Sequence, residues 1–155
     1  MRQFSRAWVV ALLVLGAFAA PVAASDGPDR LEIGESGTIN PSDRTTVVVP
    51  VEVHCTSNTE SPTGTATVTL TQDYRGSTTT GTGTADVICD GVARTYLVTV
   101  TATEGIFRKG PATAKATVGF PYRLCASNGA GDVQCTTFTM TMIPDPEPIA
   151  LRVGR

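Results

Sequence analysis

The chain has 155 residues, of which 41% are hydrophobic, and its formal net charge is −2 at pH 7. This length suits one domain with a real hydrophobic core. A mildly acidic domain has no electrostatic reason to bind nucleic acid or an anionic lipid surface, so we expect neither as a partner.

Residues 1–24 have the three parts of a secretory signal peptide. Arg2 and Arg6 form a positive start, an apolar run covers residues 7–20, and small residues precede a cut after Ala24. The run is shorter than the roughly 20 residues that cross a bilayer, so it predicts a leader rather than an anchor. Its removal takes two arginines away and lowers the net charge to about −4. We therefore expect a protein secreted outside the cell or into the envelope, with no membrane span after processing.

The rest of the chain alternates between apolar residues and threonine, which occurs 25 times, always after residue 37. Alternation with a period of two is typical of half-buried strands, and β-branched side chains suit a pleated sheet. No stretch after the leader has a convincing helical period. In chain order, the predicted strands are residues 31–35, 45–56, 65–71, 84–90, 94–101, 112–118, 121–126 and 134–142.

Turn residues separate these strands. Residues 40–43 (Asn-Pro-Ser-Asp) and the pair Asp90-Gly91 are typical of tight turns. The stretch 76–83, rich in glycine, serine and threonine, is predicted to be a flexible hairpin loop. Residues 127–132 are expected to join the last two strands.

The C-terminal residues 144–155 begin with three prolines in alternate positions. Such a segment prefers an extended polyproline conformation. We therefore place the folded domain at residues 25–143 and treat 144–155 as a proline-rich tail.

Short strands with regular turn signals indicate an all-β fold, either a sandwich or a barrel. The inward positions carry valine, alanine, leucine and cysteine, and such small side chains suit two closely packed sheets. We expect an antiparallel immunoglobulin-like β-sandwich of seven or eight short strands with two disulfides.

The four cysteines, Cys55, Cys89, Cys125 and Cys135, all follow the leader. An even number of cysteines in an exported chain usually means disulfides, and their number alone permits three pairings. Cys55 and Cys89 lie in phase with the core valines, whereas Cys125 and Cys135 lie out of phase with their apolar neighbours. The alternation therefore favours Cys55–Cys89 inside the fold and Cys125–Cys135 across the outer face of a hairpin.

Two resemblances add to this interpretation. Short strands rich in threonine and valine, with an inward cysteine pair, resemble an immunoglobulin-like domain. The run 85–91 (Ala-Asp-Val-Ile-Cys-Asp-Gly), its earlier partner Cys55, and the run 110–114 (Gly-Pro-Ala-Thr-Ala) resemble a family of small secreted bacterial proteins of unknown function. This second resemblance covers Leu31 to Val118 and implies a disulfide-bonded sandwich without implying an activity.

The sequence offers little that could act as a catalyst or hold a cofactor. The single histidine, His54, lies on the non-core face of its strand, and no G-x-S-x-G elbow accompanies it. Asp86 and Asp90 share one strand face, as surface charges commonly do. No cysteine spacing is C-x-x-C, and adjacent residues of a strand such as His54 and Cys55 point to opposite faces. We expect no enzyme activity, no metal and no cofactor.

Two short segments are the candidates for contact with a ligand. One is the only basic-aromatic cluster, Phe107, Arg108 and Lys109, in a loop between strands; the other is Tyr74 and Arg75. Loops on a rigid β scaffold often carry recognition.

The predicted function is that of a secreted, non-enzymatic binding or structural module of the bacterial envelope or its surroundings. The partner, a protein, a glycan or a small molecule, leaves no signal in the sequence, and neither does the oligomeric state. One alternative is a small secreted hydrolase that uses Asp86, Asp90 or His54. The other is a protease inhibitor that presents the loop between Cys125 and Cys135.

Overall fold

The computed structural model describes residues 29–127, 129 and 131–154, so the predicted signal peptide 1–24 lies outside the described residues. The described residues form strands and no helix, which confirms the all-β class. The nine strands are β1 (Arg30–Ile33), β2 (Ser36–Ile39), β3 (Thr46–His54), β4 (Thr63–Tyr74), β5 (Ser77–Ile88), β6 (Arg94–Ala102), β7 (Gly110–Ser127), β8 (Val133–Met142) and β9 (Glu147–Val153).

Seven of these strands close into a barrel in the order β3-β2-β9-β7-β4-β5-β6, and β6 returns to pair with β3. The pairings are antiparallel except that between β2 and β9, which is parallel. β1 pairs with the outer half of β3, and β8 pairs with β7, so both lie off the ring. The seven strands therefore form a single closed sheet instead of the expected sandwich of two sheets.

Closure brings the backbone of β5 against that of β6. Gly81 of β5 lies opposite Ala102, and a Cβ atom on Gly83 would lie 2.1 Å from the carbonyl oxygen of Thr99. Glycine is therefore required where the two strands meet. This corrects the prediction of a loop over residues 76–83, because the actual turn is only Arg75-Gly76, with φ of 51° and 81°. Two successive positive φ angles are typical of a type I′ hairpin turn.

The barrel interior is filled by alternate side chains, as in other small barrels. Valine and alanine dominate because a barrel of seven strands encloses a narrow interior. The two phenylalanines Phe107 and Phe120 are the largest fully buried side chains. The central set consists of Val47, Val49, Val51, Val53, Val68, Leu70, Val98, Val100, Ala114, Ala116 and Val118.

The C-terminal boundary of the domain needs correction. The residues expected to form a proline tail include β9, which fills the gap between β2 and β7. Ile149 is 4% exposed and Leu151 is 1% exposed. Burial of these two side chains outweighs the preference of the three prolines for an extended tail, since the prolines precede or begin the strand.

β7 is one long strand, although the sequence suggests two. Its first half belongs to the barrel, and its second half continues beyond it, paired with β8 from Val118–Met142 to Ser127–Val133. We call residues 120–142 of this hairpin the ribbon. Both predicted disulfides are confirmed: Cys55–Cys89 is buried in the barrel, and Cys125–Cys135 crosses the exposed ribbon.

Candidate functional site

Three connections meet at the barrel end opposite the ribbon. β3 and β7 begin at this end and β4 and β6 finish there, as their registers require. The connections are residues 40–45, the hairpin turn 75–76 and the loop 103–109. They bring together Tyr74, Arg75, Arg108, Lys109 and Arg44, which we call the Tyr74 cluster.

Tyr74 lies at the centre of this cluster with two arginines near its ring. The guanidinium carbon of Arg75 lies 5.4 Å from the ring centroid, and that of Arg108 lies 5.2 Å from it. Both distances are within the range of a cation–π contact. Beside the ring is a shallow cleft of about 410 Å³, which is also lined by Ser77 and Thr79. Two segments that the sequence proposes separately therefore form one site.

Arg44 is a member of the site that the sequence analysis missed. It lines a second cleft with Tyr74, Arg108 and Lys109. Its backbone has a φ of 55°, which is uncommon for a residue other than glycine. The turn 40–43 was recognisable in the sequence, but only closure of the barrel brings the residue after it to the loop carrying Arg108.

Phe107 is not a contact residue, contrary to its inclusion among the candidates. Its side chain is fully buried in the core. Its backbone N–H donates a hydrogen bond of 2.8 Å to the carbonyl oxygen of Arg44. Phe107 therefore anchors the loop to the core, while Arg108 and Lys109 remain exposed.

Gln72 fixes the same loop from inside the barrel. The side chain is 2% exposed, and its Nε2 donates to the carbonyl oxygens of Arg108 at 2.7 Å and Pro111 at 3.2 Å. Its Oε1 accepts a hydrogen bond from the backbone N–H of Arg108 at 2.8 Å. The sequence analysis missed this residue too. The available signal was a polar side chain in phase with the inward residues Val68 and Leu70.

The cluster concentrates positive charge on a chain whose net charge is −2. Ion pairs among the described residues involve Arg30 and Arg94, and none involves a cation of the Tyr74 cluster. The backbone N–H of Thr45 donates to the carboxylate of Asp43 and lowers the pKa of Asp43, so one negative charge stays beside Arg44. Asp73 accepts a hydrogen bond from the hydroxyl of Thr78. Glu104 adds one further negative charge to the loop.

The candidate residues of the alternative hydrolase lie near the other end of the barrel. His54 is 4% exposed despite its place on the non-core face, and its Nε2 lies 3.0 Å from the carbonyl oxygen of Gly91. A carbonyl only accepts, so Nε2 is the donor. Asp90 binds the guanidinium of Arg94, which lowers the pKa of Asp90, and Asp86 is exposed on β5. None of the three lines the clefts of the Tyr74 cluster.

Comparisons with protein-family models, with curated sequences and with solved structures give no significant match for this chain. Among the described residues, no group of three histidine, cysteine or acidic side chains is placed to hold a metal ion. The part of the chain that the structure describes also contains no helix with the length and hydropathy needed to cross a membrane.

Proposed function

We propose that the protein is a secreted, non-enzymatic binding module whose contact surface is the Tyr74 cluster and whose ligand carries carboxylate, sulfate or phosphate groups. The observation that carries this proposal is the pair of arginines around Tyr74. Both are held near one aromatic ring without an ion pair to a described carboxylate.

Neighbouring cations of like charge repel each other, and an acidic ligand would relieve that repulsion. The planar guanidinium offers two parallel N–H groups that match the oxygens of a carboxylate, sulfate or phosphate. Ser77 borders the same cleft, and its hydroxyl supplies a neutral hydrogen-bond donor.

The loop that carries Arg108 is anchored to the barrel by hydrogen bonds. Gln72 binds its backbone from inside and Arg44 accepts the N–H of Phe107. A preorganised loop loses little conformational entropy on binding, which favours recognition. The sequence proposes Arg108 and Lys109 as contacts, and this loop anchorage supports that role.

The two alternatives have less support. A general acid in a hydrolase needs a raised pKa, whereas the pKa of Asp90 is lowered by its hydrogen bond to Arg94. For a protease inhibitor, β7 reaches Ser127 and β8 begins at Val133, so four of the nine residues between Cys125 and Cys135 are held in paired strands.

We further infer that the barrel is a closed variant of the immunoglobulin-like fold. In that fold the strands A, B, E and D are neighbours, as are C, F and G. The neighbours A, B, E and D correspond here to β1, β3, β6 and β5, which pair in that order. The neighbours C, F and G correspond to β4, β7 and β9, which also pair in that order. The additional pairings of β5 with β4 and of β2 with β9 join these two sheets at both edges and close the barrel.

Export from the cell remains part of the proposal. Two disulfides are consistent with an extracellular protein, because such bonds persist in oxidising compartments. The leader 1–24 and the resemblance to small secreted bacterial proteins are the sequence features that favour it.

The proposal is tested with the exported protein and five immobilised probes: a polyuronate, a sulfated polysaccharide, poly-glutamate, polyphosphate and neutral dextran. We expect retention by at least one acidic probe and none by dextran, with binding that weakens as salt rises, because exposed charges are screened. The acidic probe that binds most tightly identifies the ligand class.

The matched variants are Arg75→Gln with Arg108→Gln, and Arg123→Gln as a control on the exposed second half of β7. Charge-assisted hydrogen bonds contribute roughly 1.5–3 kcal/mol each, so the double variant is expected to bind at least about tenfold more weakly. The control should bind as the unmodified protein does. Failure of every acidic probe at low salt, or an equal loss in both variants, would refute the proposal.

A further inference from the structure

β8 is a long edge strand without the usual protection. Among the described residues it pairs with β7 alone, and its ten residues contain no charged residue, no proline and no glycine. Edge strands of natural proteins are normally short, charged or interrupted, because an open edge invites pairing with another chain. β1, which has β3 as its one partner among the described residues, follows that rule. It has four residues, and Arg30 and Glu32 are exposed.

The orientation of the free backbone groups follows from Asn58. Its side-chain amide donates to the carbonyl oxygen of Arg123, and the N–H of Arg123 donates to Asn58 Oδ1, both at 2.6 Å. The backbone of Arg123 therefore points away from β8, and its opposite residue Thr137 makes a non-hydrogen-bonded pair with it. Thr137 then directs its own N–H and carbonyl to the open side of β8.

The same alternation of backbone orientation holds along the whole of β8. Pro121, which has no N–H, lies opposite Thr139, and the Cα atoms of Cys125 and Cys135 lie 4.0 Å apart, as expected for a non-hydrogen-bonded pair. The odd-numbered residues of β8 thus present their backbone groups outward. The other edge of the ribbon differs, because the loop carrying Ser57 and Asn58 covers it.

The even-numbered residues give the ribbon an apolar face that continues the core. Phe120 is 1% exposed, Tyr122 is half-buried against Phe138 at a centroid distance of 5.8 Å, and Leu124 is 60% exposed. Phe138 and Met140 on β8 are 41% and 40% exposed. A soluble chain rarely leaves such a row of large apolar side chains without a partner.

We propose that the open edge of β8 pairs antiparallel with β8 of a second copy of this chain, which joins the two ribbons into one four-stranded sheet. Only outward backbone groups can bond across the new pair, so odd residues must face odd residues. Every such register places the even-numbered side chains of both strands on one face of the new sheet and the odd-numbered side chains on the other. In the register centred on Thr139, Phe138 lies opposite Met140 and Thr137 lies opposite Thr141. The edge is therefore complementary to itself, as a two-fold interface requires.

The charge of β8 and the size of its edge are both compatible with a second copy of this chain as the partner. β8 is uncharged, so its alignment with a second β8 brings no like charges together. Ten residues a side is fewer than the 20 to 30 of a standard interface, so the dimer belongs to the small, reversible class. The disulfide Cys125–Cys135 keeps the ribbon in one register, which lowers the entropy lost on pairing.

The test is sedimentation equilibrium of the exported, disulfide-bonded protein over a range of concentrations. We expect the weight-average mass to rise with concentration, up to about 100 µM, from that of the monomer towards twice that value, as for a reversible dimer. Thr139→Pro removes one outward N–H and should give the monomer mass at the same concentration. Thr139→Val retains the N–H and should leave the dimer unchanged.

Thr139→Lys provides a second route to the same result, because it keeps the backbone intact and adds a charge near the two-fold axis. Circular dichroism checks that each variant is folded. A monomer mass for the unmodified protein at the highest concentration would overturn the proposal. So would a dimer that persists in both Thr139→Pro and Thr139→Lys, since its interface would then lie elsewhere.

Discussion

Gln72 and Arg108, separated by 36 residues, are joined by two hydrogen bonds. The side-chain amide of Gln72 bonds both the backbone N–H and the backbone carbonyl of Arg108, as the backbone of a neighbouring strand would. The Arg108 N–H donates to Gln72 Oε1 at 2.8 Å, and Gln72 Nε2 returns a bond to the Arg108 carbonyl oxygen at 2.7 Å. A buried polar side chain in a barrel wall is costly unless it is bonded. Here the bonds give the exposed arginine a fixed backbone.

Replacement of Gln72 by leucine should therefore affect stability and recognition together. The change leaves the N–H and carbonyl of Arg108 and the carbonyl of Pro111 without their partner, and an unpaired buried group costs roughly 1–3 kcal/mol. We expect urea denaturation to show a loss of about 2–3 kcal/mol in unfolding free energy. We also expect weaker retention on the acidic probe.

Gln134→Leu is the matched control, because Gln134 is exposed on the ribbon. Its stability should stay within about 0.5 kcal/mol of the unmodified protein. Equal stabilities for the two variants would show that Gln72 does not hold the loop.

Local sequence patterns were sufficient for most of the strands and for both disulfides, because each rests on alternation within a few residues. They missed β9 and the first half of β5, where prolines and glycines interrupt the pattern. Cys55 and Cys89 fall in phase with the core, and Cys125 and Cys135 lie directly opposite each other on the ribbon. Closure of the barrel was beyond such patterns. Closure depends on the contact of Gly83 with the backbone of β6. In the sequence alone, a glycine-rich stretch such as 76–83 predicts a loop.

The candidate site shows the same division. Tyr74, Arg75, Arg108 and Lys109 stood out as basic and aromatic residues of two turns, and the structure brings them together. Phe107 was predicted to contact a ligand because it is an aromatic residue in a basic loop. In the structure its apolar side chain instead fills the end of the barrel and is fully buried.

Gly83→Ala tests the closure itself. The new Cβ atom would lie 2.1 Å from the carbonyl oxygen of Thr99, and because that atom is backbone, β5 and β6 would have to separate. Overpacking of this kind typically costs 1–3 kcal/mol and occasionally more, so we expect a loss of at least about 2 kcal/mol in unfolding free energy. Chemical denaturation measures it.

Gly119→Ala serves as the comparison, since its Cβ atom would lie 3.4 Å from the nearest atom, Thr139 Cγ2, which is ordinary contact. We expect a change of less than about 1 kcal/mol. If Gly83→Ala were as mild as Gly119→Ala, β5 and β6 would not be in contact, and the fold would be an open sandwich.

The two disulfides should differ in what they stabilise. With sequence separations of 34 and 10, the chain-entropy relation gives roughly 3.8 kcal/mol for Cys55–Cys89 and roughly 2.7 kcal/mol for Cys125–Cys135. The first closes a long loop inside the barrel, and its sulfur atoms are fully buried. The second lies on an exposed two-stranded ribbon, which has little stability of its own.

Replacement of Cys55 and Cys89 by alanine should therefore lower the global unfolding free energy by about 4 kcal/mol, because cavity formation adds to the lost cross-link. Replacement of Cys125 and Cys135 should change the global value by less than about 1 kcal/mol, because the ribbon opens without the barrel. Its effect should appear instead as faster amide hydrogen exchange confined to the ribbon. A ribbon loosened in this way presents a less ordered β8 edge, so the same variant should also dimerise more weakly. Global destabilisation equal to that of the first pair would mean that ribbon and barrel unfold as one unit.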